Sequence, residues 1–169
     1  MHSRDGLISL YKRVYRRPRL VFTLKLIGAV SVSLIVLLFA YALGVLVFFG
    51  EYVSALKLTV LTAVPFLAVT ALRTLINCER PYEVFDIAEL SDLRSGARHG
   101  HSFPSRHVFS AFIIGVMWLK YSLPLGIVGI VLGVYIAVQR VLLGIHFPRD
   151  VISGAVIGSL SGLVGVLIW

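Results

Sequence analysis

Apolar residues run along this chain in five long blocks, broken by short polar turns and one long charged stretch. The blocks cover about Leu20 to Phe49, Val53 to Leu72, His101 to Tyr121, Leu123 to Leu143 and Pro148 to Trp169. A helical crossing of a bilayer needs ~20 apolar residues, so each block predicts one transmembrane helix. The first is long enough to cross with tilt and too short to cross twice. It does not read as a cleaved signal peptide, because it is too long and no small-residue cleavage site follows a short apolar core. Glycine and other small residues crowd the last two blocks, as in "SGAVIGSLSGLVG", which favours close helix packing in lipid. The fold class predicted is all-α: an integral-membrane bundle of about five transmembrane helices.

Ahead of the first block the pattern changes. In "GLISLYKRVYRRPRL", Leu7, Leu10, Tyr11 and Val14 share one helical face, while Lys12, Arg13, Arg16 and Arg17 lie largely off it. That is the signature of an amphipathic helix on the headgroup surface. The organisation predicted is a single membrane domain over residues 1–169. It comprises a basic amphipathic segment, 1–19, and a transmembrane bundle, 20–169, that carries a long polar loop over 78–104. That loop is acidic, with Glu79, Glu83, Asp86, Glu89 and Asp92, and loops of such length in compact domains are usually functional.

Composition supports the membrane reading and adds two limits. Of 169 residues, 58% are hydrophobic, more than a soluble domain of this size can hide. The single cysteine, Cys78, excludes an intrachain disulfide and a thiolate metal cage. The net charge of +8 is more informative once it is placed. With five crossings, the N-terminus, the 78–104 loop and the turn at His146 all fall on one side. Of the 16 lysines and arginines, only Lys57 and Lys120 fall toward the other side. The positive-inside rule makes the crowded side cytoplasmic. The charge then serves membrane lipids and an anionic substrate rather than nucleic acid. The sequence gives no oligomeric state.

Three polar clusters gather at that crowded side. In "RTLINCERP", Arg73 and Arg80 share a face if the second helix continues through them, and Pro81 then ends it. Two guanidiniums on one face suit an anion with several oxygens. In "HSFPSRHVF", Ser105 stands as a natural N-cap. The free backbone N–H groups that follow make an anion site, and His107 in the first turn can trade a proton near neutral pH. In "QRVLLGIHFPRDV", Arg140 closes the fourth helix, His146 sits in the turn and Asp150 enters the fifth helix behind Pro148. A carboxylate four residues after His146 is placed to orient one imidazole nitrogen and free the other. Each cluster alone is also explained by snorkelling arginines or ordinary helix caps. Together they supply a positive cradle, a nucleophile and a proton donor, the parts that phosphoryl transfer requires.

The pattern Arg73-x6-Arg80-Pro81, then Pro104-Ser105-Arg106-His107, then Arg140-x5-His146-x3-Asp150 closely resembles the three-part signature of the type 2 phosphatidic acid phosphatases. These are integral-membrane lipid phosphate phosphatases. The resemblance implies that His146 attacks phosphorus and becomes phosphohistidine, that Asp150 orients it, and that His107 protonates the leaving group. It implies that Arg73, Arg80, Arg140 and Ser105 hold the phosphate oxygens; Arg106, which stands outside the family pattern, either changes how that backbone sits or adds a cationic phosphate contact. It implies no metal and no cofactor. Arg73 replaces the family's usual lysine, Arg106 its usual glycine, and Gln139 the serine usual before the third arginine. The family commonly has six membrane helices against the five here, and many bacterial members work on the outer face, whereas the charge count here favours the inner face.

The expected function is hydrolysis of a lipid phosphomonoester or an isoprenyl diphosphate, such as undecaprenyl diphosphate, in the membrane of a bacterial cell. A phosphatidylglycerophosphate or phosphatidic acid phosphatase of the same mechanism is the alternative. A membrane anion carrier is a rival of another class, but the middles of the five helices hold almost no polar residue. A silent scaffold that binds anionic lipid is a second rival, opposed by the full set of catalytic positions. His99-x-His101-x5-His107 is a competing metal-site reading, short of the ligands that transition-metal sites usually have.

Overall fold

The computed structural model describes residues 2–85, 88–90, 93 and 99–169. Asp86, Asp92, Arg94 and Arg98, counted above among the loop charges, lie outside the described residues. The described chain is helical with no strand. Helix α1 spans His2–Tyr15, α2 Pro18–Phe48, α3 Tyr52–Ile76 and α4 Pro81–Val84. A 3-10 turn follows at Ala88–Leu90, then α5 at Arg106–Leu119, α6 at Leu123–Leu142 and α7 at Pro148–Ile168.

Four of these helices, α2, α3, α6 and α7, are long and apolar enough to cross a membrane. Their outward faces carry Val30, Leu37, Leu56, Val131 and Leu163, all exposed, as a lipid-facing surface demands. Helix α5 is shorter, at 14 residues, and is the most enclosed. It packs chiefly on α6 and α7 and also touches α2 and α3. The third apolar block opens at His101, but its helix starts at Arg106 behind Ser105, the N-cap position the sequence indicated, and the residues just before it are held by long-range contacts that an unbroken helix cannot make. The Ser105 amide donates to the Asp150 carbonyl at 2.9 Å, so α5 starts level with Asp150, inside the first turn of α7.

The approach of α5 to α7 depends on glycine. A Cβ built at Gly154 would lie 2.6 Å from the Ser105 carbonyl oxygen, and one at Gly158 would lie 2.5 Å from that of Phe109. Small residues four apart thus let the two backbones meet, as the sequence suggested. Gly50, at φ +76°, makes the tight reversal between α2 and α3.

Helix α1 departs from expectation in one respect. Its polar face is exposed as predicted, with Lys12, Arg13, Arg16 and Arg17 outward. Its apolar face rests on protein rather than on lipid. Tyr11 is fully buried with Tyr82, Phe85 and Leu90, and Val14 is buried with Leu24 and Leu143. The side chains of the 78–104 loop and of the His146 turn supply enough apolar surface to take that face. The N-terminal helix and the His146 turn therefore occupy the same end of the bundle.

Candidate active site

The site is assembled where three chain segments meet at that end. Helix α3 stops at Ile76 because Asn77 adopts the left-handed conformation, at φ +45°, and its amide donates to the Arg73 carbonyl at 3.0 Å. The expectation that α3 runs on through Arg80 is thereby corrected. Asparagine tolerates this conformation better than most residues, which makes it a natural helix terminator. Arg73 and Arg80 do not share a helical face, and they reach the same place by different routes.

Arg73 is buried and faces the loop ahead of α5. Its Nη1 donates to the Pro104 carbonyl at 2.6 Å, and its Nη2 donates to the His101 carbonyl. His101 returns a bond from Nδ1 to the Arg73 carbonyl at 3.1 Å. The Ser102 amide donates to the Cys78 carbonyl at 2.9 Å, a further tie between the loop's two ends. Arg80 continues the pattern, with Nε donating to the Gly100 carbonyl at 3.0 Å and Nη1 to the Ile145 carbonyl at 3.5 Å. One arginine thus links the 78–104 loop to the turn that holds His146. Glu83 anchors the same loop. Its carboxylate accepts from the Arg80 amide at 2.6 Å and the Gly100 amide at 2.8 Å, and pairs with His99 at 3.0 Å.

Ser105 occupies the N-cap position of α5, but its Oγ makes no capping bond. Fully buried, that hydroxyl has no hydrogen-bond partner among the described residues. Arg140, in the last turn of α6, likewise has an unpartnered buried Nε. Buried donors of this kind are costly unless something accepts from them. His107 lies exposed in the first turn of α5, within the electrostatic reach of Arg140, His146, Arg106 and Arg73. Arg106 places its guanidinium 6.0 Å from the centre of the Phe66 ring on α3, a cation–π contact.

His146 and Asp150 are buried, at 3% and 0% exposure. Pro148 opens α7, and the Asp150 carboxylate accepts the Phe147 amide at 2.9 Å, closing the first turn. This places His146 Nδ1 at 3.6 Å from Asp150 Oδ2, facing it but beyond a normal hydrogen bond. Ser102 fills the interval. Its Oγ donates to Asp150 Oδ2 at 2.6 Å and stands 3.3 Å from His146 Nδ1. Burial pushes the His146 pKa down to about 4; Asp150 opposes the shift by hydrogen bond and charge, while Arg80 and Arg73 add to it.

The structure brings together Arg73, Arg80, Ser105, His107, Arg140, His146 and Asp150, with Arg106 at the α3 side. Ser102 and Glu83 were not singled out from the sequence. A lone serine in a polar loop carries no periodic signal, and Glu83 was counted only as one of several loop acids. The competing metal reading finds its histidines otherwise engaged, His99 with Glu83 and His101 with Arg73. Among the described residues no three His, Cys, Asp or Glu side chains come close enough to share an ion. What the arrangement offers is a buried imidazole beside a carboxylate, a second imidazole at the mouth, and cationic and hydroxyl donors around them.

Comparison with known proteins identifies the family. The family model described as the PAP2 superfamily matches residues 33–169. The bacitracin transport permease protein BcrC of Bacillus licheniformis is 28% identical over 131 residues, which cover 75% of this chain and 64% of that protein. The chain thus spans less than two thirds of that relative's length. The crystal structure of Aquifex aeolicus LpxE superposes with a TM-score of 0.69 at 23% identity, over 96% of this chain and 94% of that one. The transmembrane PAP2-type phosphatidylglycerolphosphate phosphatase from Bacillus subtilis gives a TM-score of 0.70 at 23% identity, over 99% of this chain and 86% of that one. At such identity the two structures speak to the fold alone.

Proposed function

The chain belongs to the PAP2 superfamily, and from that premise we propose that it is a lipid phosphatase acting through phosphohistidine. The observation that carries the reading is the buried His146–Asp150 pair set beside donors, Ser105 Oγ and Arg140 Nε, that have no acceptor among the described residues. A phosphate group satisfies those donors and presents phosphorus to the imidazole. The cradle is cationic, and stabilising charge as it develops on a transferring phosphoryl group is the main catalytic lever in such reactions.

In the first half-reaction the Nε2 lone pair of His146 forms a bond to phosphorus. The bond from phosphorus to the leaving oxygen breaks, and that oxygen takes its electron pair and a proton from the His107 imidazolium. In the second half, water attacks phosphorus, His107 accepts the water proton and the P–N bond returns its electrons to Nε2. Arg80, Arg140 and Ser105 hold the phosphate oxygens. Arg73 uses two N–H groups on the loop carbonyls and so shapes the cradle, with its remaining N–H groups left to face the anion. None of these steps calls on a metal ion.

The substrate is a lipid phosphate or diphosphate. The site opens at one end of a membrane bundle, where lipid headgroups arrive by lateral diffusion. An isoprenyl diphosphate such as undecaprenyl diphosphate leads, with phosphatidylglycerol phosphate and phosphatidic acid as the alternatives. The excess of basic residues at the site's end favours the cytoplasmic face. Phosphate release from purified protein, measured in detergent with EDTA over this panel of lipids, tests the reading. Turnover of at least one lipid phosphate is the expected result. No release from any of them, or release only after zinc is restored, overturns it.

A further inference from the structure

We propose that Ser102 is a positioning residue that couples Asp150 to His146 and fixes the tautomer of the nucleophile. The proposal rests on the phosphohistidine reading of the same site. Ser102 is fully buried and sits between the two groups, 2.6 Å from Asp150 Oδ2 and 3.3 Å from His146 Nδ1. The direct His146–Asp150 separation is 3.6 Å, so the hydroxyl is the nearer partner of each.

Proton counting decides the direction. A serine hydroxyl has one hydrogen and two lone pairs. The short contact to Asp150 is in the range of a charge-assisted O–H···O⁻ bond, so the hydrogen goes there. Oγ then has only lone pairs to offer His146. Nδ1 must be the protonated nitrogen, donating to Oγ, and Nε2 keeps its lone pair for phosphorus. When Nε2 bonds phosphorus, the ring becomes cationic while Nδ1 keeps its hydrogen. Ser102 then carries the carboxylate's influence to that charge without moving a proton.

The loop geometry makes this placement deliberate. The Ser102 amide is tied to the Cys78 carbonyl at 2.9 Å. Arg73 grips the carbonyls of His101 and Pro104 on either side of the Ser102–Phe103 pair. The Asp150 acceptor is held in turn by the Phe147 amide at 2.9 Å. Among the described residues the hydroxyl has no other partner to serve.

The test is a double-mutant cycle of Ser102→Ala and Asp150→Asn, with His146→Ala beside it. Steady-state turnover and vanadate inhibition are read on purified protein. Ser102→Ala should lower kcat roughly 10–10²-fold, the scale expected for losing a hydrogen bond to a charged group. KM and vanadate affinity should stay within about threefold, because the cradle donors remain. Serial coupling predicts that the double variant is little worse than Asp150→Asn alone. Multiplying effects, or a rise in KM equal to the fall in rate, would reduce Ser102 to a loop anchor and overturn the proposal. Ser102→Ala turning over at the wild-type rate would do the same. If that variant does not fold, Ser102→Cys keeps the shape with a weaker donor and should show an intermediate loss of kcat. If His146→Ala still forms phosphoenzyme, the phosphohistidine reading itself falls, whereas a dead His146→Ala beside an unaffected Ser102→Ala removes only the coupling.

Discussion

The Tyr15 hydroxyl donates to the Leu143 carbonyl at 3.1 Å, joining the last residue of α1 to the turn that carries His146. The bond spans 128 positions of sequence. It stands beside the burial of Tyr11 under Leu90 and Gly144. Helix α1 thus braces the active-site turn from outside the membrane-crossing helices.

Tyr15→Phe should therefore cost stability before it costs chemistry. Losing one part-buried hydrogen bond is worth about 1 kcal/mol, which corresponds to a fall of roughly 2–4 °C in Tm for a chain of this size. Thermal unfolding in detergent measures it. Removing α1 altogether uncovers Tyr82, Phe85 and Leu90 and should abolish turnover along with the folded loop. An active, equally stable protein without α1 would show the brace to be dispensable.

The two site histidines should separate by leaving group. His146→Ala should remove both turnover and the covalent intermediate. His107→Ala should slow a lipid alkoxide leaving group far more than nitrophenolate, which needs little protonation. General-acid assistance is typically ~10²–10⁴-fold, so the contrast is measurable by rapid quench with ³²P-labelled substrate. Equal losses with both leaving groups would take the acid role from His107.

Burial of neutral His146 makes a pH prediction that does not depend on activity. Its folded pKa is depressed to about 4, while an unfolded histidine titrates near ~6.5. Above that unfolded value both states are neutral and the group contributes no pH dependence. As pH falls through the window between the two values, the unfolded state takes up the proton first and the fold loses stability. Wild type should lose more Tm over this window than His146→Gln, which does not titrate. The same depression keeps His146 unprotonated at mildly acidic pH. Parallel Tm profiles for the two proteins would contradict the burial argument.

Sidedness follows from α1 and the loop sharing one end. On a Cys78→Ser background, Ser9→Cys and His99→Cys should label from the same side of intact cells, and Lys120→Cys from the other. The excess of basic residues at that end predicts the cytoplasmic side for the first pair. Labelling of Ser9→Cys and His99→Cys from opposite sides would break the five-crossing arrangement. Labelling of both from outside would keep the arrangement and reverse its orientation.

Much of this was legible in the residue pattern, for identifiable reasons. His146 and Asp150 stand four apart across a proline-initiated helix, so local geometry alone brings them face to face. Tyr11 and Val14 fall on one helical face, and that periodicity foretold the burial of the α1 stripe, though not that protein rather than lipid would cover it. The shared helical face of Arg73 and Arg80 failed at a single residue, Asn77, whose left-handed backbone ended α3 early. The roles of Arg73 and Ser102 were hidden for another reason. Arg73 bonds to carbonyls 28 and 31 positions away, and Ser102 reaches partners 44 and 48 away. No local spacing encodes such contacts.

The start of α5 level with Asp150 has a consequence for turnover. A helix of 14 residues rises about 21 Å, short of the ~30 Å hydrocarbon core, and the His107 end of α5 lies level with the first turn of α7. On the proposed lipid phosphatase reading, the reaction would split its products between two solvents. The lipid alcohol is born beside hydrocarbon and diffuses away in the leaflet. Inorganic phosphate is born among arginines and has to climb past them to water. The two products would therefore leave by different routes. Because the cradle arginines are buried or half-buried, added salt should screen them weakly, and release of phosphate should change little with ionic strength, which a salt series of phosphate-release rates measures.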